Sequence, residues 1–141
     1  MYRMLDEKEC SRWLRGAEET LGSAKRDLEE KDYNWACFKA HQAVEKSLKG
    51  LLWGLESPQI GTSLPYLLSK IAELGIEPDK YILEACIRLN KHNIPTRYPD
   101  VWSEGVPEEY YSRSEAEEAI SNAFIVIRWV EEIWRKLSRE G

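Results

Sequence analysis

The stretch Asn34–Gly54, NWACFKAHQAVEKSLKGLLWG, decides the fold. Wound at about 100° per residue, its apolar side chains cover far more than one face. Cys37, Val44, Leu48, Leu51, Leu52 and, just past the end, Leu55 form a stripe of large residues. Ala36, Ala40, Ala43, Ser47 and Gly50 form a stripe of small ones beside it. A helix apolar around so much of its girth belongs at the centre of a bundle, with neighbours on two sides. Small residues let one neighbour's backbone approach, and leucines fill the space toward another. The remaining face carries Trp35, Lys39, Gln42, Lys46, Lys49 and Trp53. Tryptophan at both ends of a polar stripe has no packing reason. That face is therefore a candidate contact surface for a ligand, a second copy of the chain, or a loop folding back.

Working outward, Asp6–Glu30 reads as a first helix with a narrow seam of Leu14, Ala17, Leu21, Ala24 and Leu28 and an otherwise charged surface. The short Lys31-Asp32-Tyr33 link makes it an antiparallel neighbour of the central helix. Pro58 and Gly61 break the chain before a short third helix from Ser63 to Leu74, with Ser63 as N-cap and Pro65 in the first turn. A fourth helix is predicted over Pro78–Asn93, with Ile82, Cys86 and Leu89 inward and Tyr81, Ala85, Arg88 and His92 on a second stripe. Asn93–Arg113 holds three prolines and no sustained period, and a connection of that length is often functional. The last helix is expected from Ser114, with Ser114 and Glu117 as a capping box. Its core face is Ala116, Ile120, Ala123, Ile127, Val130, Trp134 and Leu137, and Ile125, Trp129 and Ile133 lie off it. The expected fold is all-α: an antiparallel up-and-down bundle of four main helices plus one short helix, with a long loop before the last.

A chain of 141 residues, 43% apolar and 32% charged, suits one globular domain over 1–141. A net charge of −5 without a basic tail argues against nucleic-acid binding through bulk charge, while leaving room for a local basic patch. The start MYRMLDEKECSRW is polar too early for a signal peptide, and no apolar run reaches membrane-spanning length. The expectation is a soluble, cytoplasmic protein that does not engage a membrane. Cys10, Cys37 and Cys86 are odd in number and far apart, and read as buried thiols rather than disulfides or metal ligands.

Two histidines limit the chemistry. His41 sits at the edge of the central helix's apolar face with Glu45 and Lys49 at successive turns, the spacing of helical ion pairs. No paired Glu-x-x-His pattern accompanies it, so no metal is expected. Arg88 precedes His92 by four residues and shares its face if the helix persists. Histidine moves protons at neutral pH and arginine holds phosphate, which is the minimum for cleaving RNA with its own 2′-hydroxyl. The same residues equally suit a helix C-terminus, where cations cap carbonyls. In Thr96-Arg97-Tyr98-Pro99-Asp100, Arg97 is either an ion-pair partner of Asp100 or an anion site with Tyr98 as a stacking platform.

The pattern Ala36-x-Phe38-x-Ala40-His41-Gln42-Ala43-Val44-Glu45-Lys46-Ser47-Leu48-Lys49, followed by Thr96-Arg97-Tyr98-Pro99-Asp100, resembles the HEPN domain (higher eukaryotes and prokaryotes nucleotide-binding domain) in its small free-standing prokaryotic members. The resemblance covers nearly the whole chain. It implies a helical bundle, a homodimer, and a minimal nucleotidyltransferase partner in a toxin–antitoxin-like or accessory pair, with no cofactor. The family's members differ in activity: some bind nucleotides, some are ribonucleases, and others have no established activity. If this chain binds a nucleotide or RNA phosphate, the expected contacts are Lys46, Lys49, Arg97 and Tyr98, with Arg88 and His92 as further candidates. Members that are metal-independent ribonucleases carry an Arg-x(4–6)-His motif, which would make Arg88 and His92 catalytic. Here only three residues separate Arg88 from His92, and Gly61-Thr62-Ser63-Leu64 lacks the histidine often found before the third helix. Both departures weigh against the nuclease activity. A third reading is a non-catalytic interaction module using the Trp35/Trp53 and Ile125/Trp129/Ile133 stripes.

Overall fold

The computed structural model describes residues 4–140. Five α-helices run α1 (Glu7–Glu29), α2 (Tyr33–Gly54), α3 (Leu64–Glu73), α4 (Lys80–Leu89) and α5 (Arg113–Glu140). α2 packs against all four others, chiefly α1 and α5. Its small stripe explains the arrangement: Ala36, Ala40, Ala43, Ser47 and Gly50 are all buried. At Gly50 a Cβ would stand 2.7 Å from Trp13 Cβ, so only glycine admits α1 this closely. Leu48, Leu51 and Leu52 fill the interior together with Leu64, Leu67, Leu68 and Ile71 of α3, and Val126, Ile127 and Val130 of α5. All three cysteines are buried free thiols, each pushed up to about 12 by burial.

Local chemistry sets the helix ends. Asp6 accepts from Glu9 N at 3.1 Å, Ser63 from Tyr66 N at 3.3 Å, and Asp79 from Tyr81 N and Ile82 N. The last helix starts earlier than the Ser114 reading. Glu115 N donates to Ser112 Oγ and Ser112 N donates to Glu115 Oε1, both at 3.2 Å, so the capping box is Ser112–Glu115. α4 is shorter than expected, at 10 residues, and passes into a 3-10 turn over Asn90–His92. Beyond that turn the Thr96 hydroxyl donates to the carbonyls of His92 and Asn93, which the end of the helical run leaves open. The bundle thus has three long helices and two short ones.

The segment 93–112 is not structureless. It contains 3-10 turns at Pro99–Val101 and Pro107–Glu109, and Trp102 stacks on Tyr110 with ring centroids 4.0 Å apart. Trp102 Nε1 donates to Pro95 O at 2.8 Å, and Tyr110 OH to Glu104 O at 2.6 Å. On α5, Trp129 and Ile133 lean on the core while Ile125 faces outward. No described helix is long and apolar enough to cross a membrane.

Candidate functional site

The turn that follows α4 brings the two motif segments together. Thr96 is fully buried, and its carbonyl accepts from Asn34 Nδ2 at 3.0 Å. Asn93 is the hub. Its Nδ2 donates to Thr62 Oγ1 at 3.2 Å, its Oδ1 accepts from Arg97 at 3.1 Å, and its carbonyl accepts from Arg97 Nε at 3.2 Å. These bonds fix the guanidinium against aromatic rings: Arg97 Cζ lies 4.1 Å from the Phe38 centroid and 4.9 Å from that of Tyr98. Trp35 meets Phe38 edge-on at 6.1 Å. Tyr98 and Trp35 are exposed. Asp100 does not pair with Arg97, and among the described residues no carboxylate lies within ion-pair distance of that guanidinium.

His41 lies beneath this turn, fully buried. Its Nε2 is 3.1 Å from the Thr62 carbonyl. A carbonyl only accepts, so Nε2 carries the proton and the neutral ring presents a bare lone pair at Nδ1. That Nδ1 has no hydrogen-bond partner, and the nearest carboxylate oxygen, Glu45 Oε1, is 3.9 Å away. Burial lowers the His41 pKa, against the opposing pull of Glu45 and Thr62. The other Glu45 oxygen receives Lys49 Nζ at 2.8 Å.

Arg88 and His92 share a second feature, a hollow of about 180 Å³ between the end of α4 and the start of α5. The two ends of that pair differ. Arg88 is exposed and already bonded to Glu118 at 3.0 Å and Glu84 at 3.2 Å, which raise its pKa. His92 is half-buried against Tyr111, its Nδ1 without a partner, and burial lowers its pKa despite Glu115 and Glu118. The hollow therefore holds a neutral histidine and an arginine neutralised by two carboxylates.

Of the four residues expected to bind ligand, Arg97 and Tyr98 adjoin. Lys49 closes on Glu45, and Lys46 points the other way, donating to Thr20 Oγ1 of α1 at 2.8 Å. Lys39 likewise bridges to Asp27 at 2.8 Å and to Ser23 at 2.9 Å. Much of the polar face of α2 is thus a seam with the flank of α1. Trp53 ends that seam beside Trp13, Arg12 and Lys46 in a hollow of about 270 Å³. Asn34, Phe38, Thr62 and Asn93 were not among the expected site residues. Asn34 and Phe38 lie one turn apart on α2, a signal that a polar and an aromatic residue face the same neighbour. Among the described residues, no three His, Cys, Asp or Glu side chains are grouped as a metal ion needs.

A sequence profile of the HEPN domain matches residues 10–133. Among solved structures, TT1696 from Thermus thermophilus is 40% identical with a TM-score of 0.84, over 88% of this chain and 97% of that one. ST0689, an archaeal HEPN homologue, is 34% identical with a TM-score of 0.74, over 94% of this chain and 98% of that one. A HEPN domain protein from Thermotoga maritima is 30% identical with a TM-score of 0.72, over 88% and 98%. No curated protein sequence matches the chain.

Proposed function

This chain belongs to the HEPN domain family, and from that premise we propose that it is an accessory domain binding a nucleotide or RNA phosphate. In this reading it works as a homodimer with a minimal nucleotidyltransferase partner in a toxin–antitoxin-like pair. The observation that carries the binding is Arg97: a guanidinium held on two rings, bonded to Asn93 and with no carboxylate at ion-pair distance among the described residues. A positioned arginine with open donor capacity matches phosphate, and the exposed faces of Tyr98 and Trp35 suit a nucleobase. Lys49 and Lys46 contribute charge at longer range, each held by a local partner.

Calorimetry with ATP, GTP and short RNA tests this. Arg97→Ala should weaken binding by at least about tenfold, the worth of one charge-assisted hydrogen bond. Arg97→Lys should fall between, because it keeps the charge and loses the planar fork. An Arg97→Ala protein that is folded by circular dichroism and binds as wild type would overturn the reading, as would no binding by wild type. A monomer by light scattering would remove the dimer, and failure to co-purify with a co-expressed minimal nucleotidyltransferase would remove that partner.

The ribonuclease reading keeps one supporting observation, that Arg88 and His92 line one hollow. It requires RNA to displace Glu84 and Glu118 from Arg88. Loss of cleavage in His92→Ala would support it; an inert wild type would remove it. The non-catalytic interaction reading rests on the outward Ile125 and Trp35.

A further inference from the structure

The second half of α5 carries Arg128, Arg135, Lys136 and Arg139, with Glu131, Glu132 and Glu140 interspersed. Positions 128, 131, 135, 138 and 139 fall within roughly 100° of one another on a helix. The structure sets Arg128, Glu131, Arg135, Ser138 and Arg139 along one open groove of about 570 Å³ between α5 and α1, with Leu14 and Trp134 in its floor. We propose that this groove is a second anion site and that it takes the phosphodiester backbone of single-stranded RNA. The proposal rests on the RNA-binding reading above but uses none of its residues.

Two observations support the groove as a site: arginines unpaired among the described residues, and their excess over acids in the lining. Arg135 and Arg139 have no carboxylate within ion-pair distance among the described residues, and Arg128 reaches Glu131 only at 3.9 Å. Burial and a hydrogen bond with Glu18 raise the pKa of Glu131, the one acid lining the groove, against the opposing pull of Arg128 and Arg135. The groove lining sets three arginines against one glutamate, in a chain whose net charge is −5. Complementing the helix dipole explains only Arg139, since that effect fades within the last turn and Arg128 and Arg135 lie further back. The arginines span eleven residues, roughly 16 Å along the axis. One mononucleotide phosphate does not extend that far, and a strand of repeating phosphates does. An apolar floor beneath the cations strengthens their field.

The test is anisotropy of a fluorescent single-stranded RNA of about 12 nucleotides between roughly 50 and 200 mM salt. The double variant Arg135→Gln/Arg139→Gln should lower the slope of log K against log salt by about 1.4, two contacts at about 0.7 each. Its ATP binding by calorimetry should match wild type. Arg135→Lys/Arg139→Lys should retain the slope, because the charge remains. Circular dichroism confirms that each variant is folded. An unchanged slope in the glutamine variant overturns the proposal, as does a wild type that binds ATP but not RNA. So does displacement of the RNA by an oligoglutamate peptide at equal charge concentration, which would make the groove a site for acidic proteins. Failure of the Arg97 reading registers separately, as ATP binding that Arg97→Ala does not weaken.

Discussion

His41 shows what one buried titratable side chain does to the molecule. Its folded pKa lies below the ordinary 6.5, because burial disfavours the charged ring. In the unfolded chain the ring is free to protonate near 6.5. The unfolded state therefore binds more protons once pH falls below that value, and stability is lost on the acid side. The limiting slope is about 1.4 kcal/mol per pH unit for each such histidine, and His92, also lowered, adds to it. Thermal melts should show stability flat near pH 8 and falling from about pH 6.5 downward. His41→Gln, whose amide can still donate to Thr62 O, should flatten that fall; an unchanged profile would mean that other groups set it. The role of His41 was only partly legible in sequence. Its neighbours Glu45 and Lys49 follow from helical spacing, but its partner Thr62 is reached only through the fold. Arg97 was harder still: in a loop without period, Asn93, Phe38 and Tyr98 are brought together by elements far apart in the chain.

At the scale of elements, periodicity was the readable signal, and it located α2's two stripes and the core faces of α1 and α5. Boundaries were less readable where two patterns overlap. Ser112-x-x-Glu115 and Ser114-x-x-Glu117 both spell a capping box, and only the first is used. The end of α4 could not be read locally, since Asn90-Lys91-His92-Asn93 carries no glycine or proline to mark the passage from α-helix to 3-10 turn after Leu89. Close approach also makes sharp predictions. A Cβ at Gly54 would lie 2.6 Å from Trp134 Cζ3 and 2.9 Å from Cys10 Cβ. Gly54→Ala should therefore destabilise by about 1–3 kcal/mol in urea titration, despite alanine's better helix propensity. Lys31 has the opposite fault. It occupies the left-handed region at φ 67 in the α1–α2 turn, where a Cβ is strained. Lys31→Gly should stabilise by about 1 kcal/mol, and a neutral or negative result would show that its side chain offsets the strain.

For the whole molecule, the two candidate sites lie toward opposite ends of α2: Phe38 contacts Arg97, and Gly54 contacts Trp134 beside the arginine groove. Sixteen residues of helix separate those contacts, about 24 Å. The long helices hold that spacing, and α3 with α4 closes the remaining side of α2 and supplies the turn that seats Arg97. The short turn between α1 and α2 has a further consequence, in the order of assembly. That hairpin closes after only a few residues, whereas α5 must return across roughly sixty, at an added loop-closure cost of roughly 2–3 kcal/mol. The α1–α2 pair should form the folding nucleus and α5 should dock late. Stopped-flow chevrons of Ala24→Gly in α1 and Val130→Ala in α5 can measure this. The first should chiefly slow folding, and the second should chiefly speed unfolding. The reverse pattern would place the nucleus at α5 and leave the hairpin as a follower.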